Sequence, residues 1–113
     1  MKKIFRFIAL TGFLFAADAL ASNAQNCVRL DPVWGNSCGK PDSLQIKVTN
    51  RCAQTVYVKM CIEKKGGGWS CGSDSILKPG NTNNGFWACQ ATGNYRWDAC
   101  TGGYQECGFK NPR

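Results

Sequence analysis

The chain has 113 residues and a formal net charge of +7, with 14 lysines and arginines against 7 aspartates and glutamates and no histidine. Its first 21 residues read as an export signal; residues 22–113 contain all 8 cysteines but only 13 Val, Leu, Ile and Phe side chains. So little apolar material beside so many cysteines excludes a large α/β enzyme and a multidomain protein. It predicts one small domain that depends on covalent cross-links for stability.

Met1, Lys2, Lys3 and Arg6 form a positive start, Phe7–Ala17 an apolar centre, and Ala19-Leu20-Ala21 the small-x-small pattern that a signal peptidase cleaves. Cleavage is predicted after Ala21, with Ser22-Asn23-Ala24 offering a second site. The apolar centre falls well short of the roughly 20 residues that cross a bilayer, so the mature chain is expected to have no transmembrane segment. The residues before Cys27 do not fit a lipid-anchor site. The Lys-Lys start is bacterial in style, and the expected location is secreted or periplasmic.

The cysteines are Cys27, Cys38, Cys52, Cys61, Cys71, Cys89, Cys100 and Cys107. An even number in an oxidising compartment predicts four disulfides, each worth roughly 3 kcal/mol if it closes a loop of 10–20 residues. No two cysteines have the close pairing of a zinc ribbon or a thioredoxin-type site, and without histidine a mixed Cys/His site is impossible; no metal or cofactor is expected. Connectivity stays open, although Cys61 and Cys71 lie symmetrically about Gly66 and suit a cross-strand bridge.

Residues 22–43, rich in Asn, Ser, Pro and Gly, read as an irregular N-terminal arm, and residues 44–113 as the disulfide-stapled β domain. Strict alternation places Leu44, Ile46 and Val48 on one face of a strand. After a polar turn at 50–54, Thr55–Glu63 resumes the alternation with Val56, Val58, Met60 and Ile62 inward, and these two strands are expected to pair antiparallel. Lys64-Lys65-Gly66-Gly67-Gly68 reads as a flexible basic hairpin tip. Ile76-Leu77 ends a short strand at the Pro79-Gly80 turn, and Asn83-Asn84-Gly85 reads as another turn. Two aromatic strands, Phe86–Ala91 and Tyr95–Cys100, are expected to be joined through Thr92-Gly93-Asn94, with a last short segment at Tyr104–Phe109. No helical period occurs after the signal. The predicted fold is all-β, a small disulfide-rich antiparallel sandwich or barrel of six to seven short strands.

Ile46-Lys47-Val48-Thr49-Asn50-Arg51-Cys52, followed by Thr55-Val56 and by the later Leu77-x-Pro79-Gly80 corner, resembles the opening strand and turn of thaumatin-like proteins. The resemblance implies a β-sandwich and carries nothing about activity, because those proteins are larger and their acidic cleft has no residue-by-residue match here.

The chain lacks both a Ser-His-Asp and a Cys-His unit, and oxidised cysteines supply no thiolate, so the expectation is a protein that is not an enzyme. A carboxylate pair is the remaining catalytic option, with Asp98 the foremost candidate; the structural reading pairs Asp98 with Arg96 on a shared strand face, and Glu63 with Lys64 and Lys65. Tryptophans and tyrosines just before cysteines either pack over disulfides or stay exposed to stack on a sugar. The expected function is a non-catalytic binding module that recognises a glycan or other extracellular macromolecule through Trp69, Trp87, Trp97, Tyr95, Lys64 and Lys65. The expected partner is an extracellular glycan, an anionic cell-surface polymer met through Lys59, Lys64, Lys65 and Lys78, or a protein, and not a nucleic acid. The alternatives are a cationic antimicrobial or toxin-like protein acting at anionic membranes and a secreted enzyme inhibitor.

Overall fold

The computed structural model describes residues 22–111. The signal-peptide assignment falls outside these residues. Six strands form in chain order: β1 (Val28–Trp34), β2 (Leu44–Asn50), β3 (Val56–Lys64), β4 (Trp69–Leu77), β5 (Thr82–Ala88) and β6 (Ala91–Cys100). They make two antiparallel three-stranded sheets, ordered β1-β2-β5 and β4-β3-β6, and the protein is a disulfide-rich all-β sandwich.

Alternation explains the core. Leu44, Ile46 and Val48 from β2 meet Val56, Val58, Met60 and Ile62 from β3, all at most 1 % exposed, and Phe86, Ala88, Leu77 and Ala99 complete the apolar layer. Burying a Val-, Leu- or Ile-sized side chain contributes about 1.5–3 kcal/mol, so these short strands are worth most where both sheets present an apolar face.

The expected pairing of β2 with β3 is corrected: β2 lies between β1 and β5, and β3 between β4 and β6. Each strand has an apolar inner face, and facing one another across the core buries both faces at once, which side-by-side pairing would not. The stretch read as an irregular arm contains β1, which pairs with β2 over its whole length from Val28↔Asn50 to Trp34↔Leu44. Pro32 is tolerated there because β1 is an edge strand. Asn83-Asn84-Gly85 lies inside β5 at a register shift against β2, not in a turn. Thr92-Gly93-Asn94 is likewise inside β6, and the link between β5 and β6 is Cys89-Gln90, with Gln90 in the left-handed region at φ 52°. The terminal segment forms a single helical turn, α1 (Tyr104–Cys107), closed by Gly108 at φ 60°. Its residues help cover Tyr57, whose ring stacks on Phe109 and meets Tyr104 edge-on.

All eight cysteines are paired, as Cys27–Cys52, Cys38–Cys89, Cys61–Cys71 and Cys100–Cys107. The Cys61–Cys71 bridge crosses the β3–β4 hairpin between directly opposed residues 4.0 Å apart at Cα. Four disulfides are typical of proteins that live in an oxidising, extracellular setting. Among the described residues no helix is long and apolar enough to cross a membrane.

Asn50, fully buried, closes one end of the sandwich. Its Nδ2 donates to Gln54 O and Leu77 O, both at 2.8 Å, while Oδ1 accepts the Cys52 amide at 2.7 Å. Its main chain adds two bonds to the β4–β5 connection, accepting from Gly80 N and donating to Asn81 O. One side chain thus fixes the β2–β3 loop against the end of β4.

Candidate functional site

The outer face of the β4-β3-β6 sheet carries a cluster of polar, charged and aromatic side chains. Register decides its membership: Trp69 opposes Glu63, Cys71 opposes Cys61, and Cys61 and Lys59 oppose Arg96 and Asp98 on the other side. Since opposed residues share a face, Trp69, Glu63, Lys59, Arg96 and Asp98 all turn away from the core.

A register irregularity shapes the centre of this face. Ile62 pairs with Tyr95 and Lys64 with Ala91, so Glu63 alone confronts Thr92, Gly93 and Asn94. Gly93 takes φ +103°, which lets the chain bulge. The bulge turns two donors onto one carboxylate oxygen: Thr92 Oγ1 and Asn94 Nδ2 reach Glu63 Oε1 at 2.8 and 2.9 Å. The Asn94 amide bonds Thr92 Oγ1 in turn. Asn94 first, then Thr92, holds the Glu63 carboxyl below its ordinary range by bonding the charged form; desolvation opposes them, and the Arg96 guanidinium adds a lesser lowering. Arg96 also lies over the Trp69 indole, 5.2 Å from the ring centroid.

Two shallow clefts meet at Arg96. One, of about 380 Å³, is lined by Glu63, Trp69, Gly93, Asn94, Tyr95 and Arg96. The other, of about 350 Å³, lies between Lys59, Arg96 and Asp98 on the sheet and Gly108, Phe109 and Lys110 of the C-terminal segment, with Cys61 and Trp97 also lining it. The first offers an indole face beside a fixed carboxylate, an amide and a guanidinium, so it combines an apolar plane with donors and acceptors that are already oriented. The second sets three cations around one carboxylate.

Of the six residues singled out from the sequence, Trp69 and Tyr95 border the first cleft. Lys64 and Lys65 lie at the β3–β4 tip next to it, with Lys65 Nζ 3.2 Å from Asp42 Oδ2 and the Lys65 amide bonded to Gln90 O. Trp87 is 48 % exposed, but it opposes Gln45 and so lies on the outer face of the other sheet. Trp97 opposes Met60 and packs half-buried against the core. The structure therefore does not gather the three tryptophans. Two expected pairings also differ. Arg96 and Asp98 share a face but form no ion pair among the described residues; Arg96 covers Trp69, and Asp98 Oδ1 accepts the Ala99 amide. Glu63 bonds Thr92 and Asn94, not Lys64 or Lys65. Thr92 and Asn94 were missed as site residues because Thr92-Gly93-Asn94 has turn chemistry, and Glu63 reads from the sequence as the partner of Lys64 and Lys65. The signal that points to them is a glycine flanked by two hydrogen-bonding residues in front of an aromatic strand, which also fits a bulge.

The chain matches no protein-family model, and neither a curated protein nor a solved structure matches it significantly.

Proposed function

We propose that this protein is a secreted or periplasmic, non-catalytic binding module that recognises a glycan through the outer face of the β4-β3-β6 sheet. The observation that carries the reading is the first cleft, where the Trp69 indole lies beside the Glu63–Asn94–Thr92 cluster and beneath Arg96. A sugar ring has an apolar face and a rim of hydroxyls. The face of the indole that Arg96 does not cover takes the apolar side, while a carboxylate and a guanidinium held in place take the rim at little ordering cost. The bulge fixes Glu63 through two hydrogen bonds before any ligand arrives, and the Cys61–Cys71 bridge stiffens the floor beside it. Shallow, open clefts suit a polymer better than an enclosed small molecule. Lys59, Arg96 and Lys110 around the second cleft favour a chain that carries acid groups.

The test is to titrate the oxidised protein with neutral and acidic oligosaccharides and follow indole fluorescence. Saturable quenching that Trp69→Ala removes is expected; no saturable change with any glycan overturns the reading. Leakage of dye from anionic vesicles, run alongside, would support the membrane-active alternative instead.

A further inference from the structure

The first cleft does not stop at the sheet's outer face. Gly93, which lines it, is also the resting place of a second indole: a β-carbon added at Gly93 would stand 3.6 Å from Trp34 Cζ2 and 3.7 Å from Cη2. Trp34 ends β1 in the opposite sheet and is 50 % exposed, so its ring reaches across to β6 with much of its surface in water. Tyr95, two residues beyond Gly93 on the same strand and 37 % exposed, lines the cleft as well. Upstream and downstream the free edge of β6 is occupied: Ala91 N bonds Asp42 O at one end, while Ala24 N bonds Ala99 O and Gln25 Nε2 bonds Trp97 O at the other. Between these clamps, at Gly93–Tyr95, no such contact covers the strand among the described residues.

Three aromatic side chains thus surround one short stretch of an edge strand, Trp69 on the outer face and Trp34 and Tyr95 toward the other side. Gly93 sets no side chain of its own between the Trp69 cleft and the Trp34 ring. We infer that Trp34 and Tyr95 form a second aromatic subsite and that the ligand is an extended oligosaccharide chain, one sugar on Trp69 and a later one on Trp34 after crossing β6 at Gly93. Exposed indoles and phenols accept successive pyranose faces, and two platforms joined through one ligand act together as linked sites do, so affinity grows with chain length. This inference rests on the glycan reading above, and it adds a length requirement that the Trp69 cleft alone does not impose.

The test uses matched di- and hexasaccharides of glucose, N-acetylglucosamine and galacturonate, with affinity measured calorimetrically on the oxidised protein. In the series that binds, the hexasaccharide is expected to bind about tenfold tighter than the disaccharide, a difference of about 1.4 kcal/mol. Trp34→Ala should erase that advantage and leave disaccharide affinity unchanged, and Trp34→Phe should restore most of it; Trp69→Ala should weaken both lengths. Equal affinity for both lengths in the unaltered protein overturns the second subsite and leaves the glycan reading standing, as does a Trp34→Ala variant that keeps the hexasaccharide advantage. Failure of every series to bind overturns the glycan reading itself.

Discussion

Replacing Asn50 tests how the sandwich end is held. Asn50→Ala deletes three side-chain hydrogen bonds, those to Gln54 O, Leu77 O and Cys52 N. Gln54 is exposed and its carbonyl can turn to water, but Leu77 and Cys52 are only 4 % and 8 % exposed, so their main-chain groups stay without partners. A typical intramolecular hydrogen bond contributes about 1 kcal/mol net, and each of the two buried orphans costs about 1–3 kcal/mol, which places the loss at about 3–7 kcal/mol. That is a large share of the roughly 5–15 kcal/mol that keeps a small domain folded. The assay is guanidinium denaturation of the oxidised variant, followed by far-ultraviolet circular dichroism. Asn50→Asp separates donor loss from cavity formation, because it keeps the acceptor for Cys52 N and sets a carboxylate oxygen against two carbonyls. Its carboxyl should be pushed above the ordinary aspartate value of about 3.9, so the variant's stability should fall as pH rises past about 4. A loss below about 1 kcal/mol for Asn50→Ala would refute the reasoning, since it would mean that water satisfies both orphans.

Removing Cys38–Cys89 by a double serine substitution should cost about 4 kcal/mol and removing Cys61–Cys71 about 3 kcal/mol, because the loops they close span 51 and 10 residues; denaturant midpoints should rank them in that order. Glu63 should titrate below the ordinary glutamate value of about 4.3 by carboxyl NMR, and Asn94→Ala should move it back up. Because its carboxyl is held low in the folded protein, Glu63 favours the fold fully above its unfolded value and loses that contribution as pH falls through the folded one, so Glu63→Gln should flatten the stability curve on the acid side. Gly72→Ala should destabilise, since the new β-carbon would lie 3.2 and 3.3 Å from Phe86 Cδ1 and Cε1; a thermal-melting midpoint lowered by several degrees is expected, and none is expected for Gly66→Ala at the open hairpin tip.

Much of the fold was legible wherever two-residue alternation ran unbroken. Leu44–Thr49 and Thr55–Glu63 gave β2 and β3 with the correct inward residues, and the three glycines at 66–68 marked the hairpin tip that Cys61–Cys71 closes. β1 also alternates, through Val28, Leu30, Pro32 and Trp34, but Pro32 and the surrounding polar residues mask the pattern. Which strands pair was not legible, because the distant partners β5 and β6 compete with the neighbour in sequence and burial of two apolar faces decides between them. The site followed the same division. Trp69 and Tyr95 stood out by residue type, whereas Thr92, Asn94 and Glu63 depend on a bulge that local chemistry renders indistinguishable from a turn. Trp34 was not legible as part of the site because its neighbour there is a glycine 59 positions further along the chain.

The bridges have a consequence for a cut chain. Lys64 and Lys65 stand exposed at the β3–β4 tip, where a protease with a taste for basic residues would cleave first. Cys61–Cys71 spans that very point, and Cys38–Cys89 encloses it at longer range. A clipped molecule therefore stays a single covalent piece, its aromatic face still assembled, and shows its wound only after reduction. Among digestive enzymes such a protein can be nicked without being dismantled.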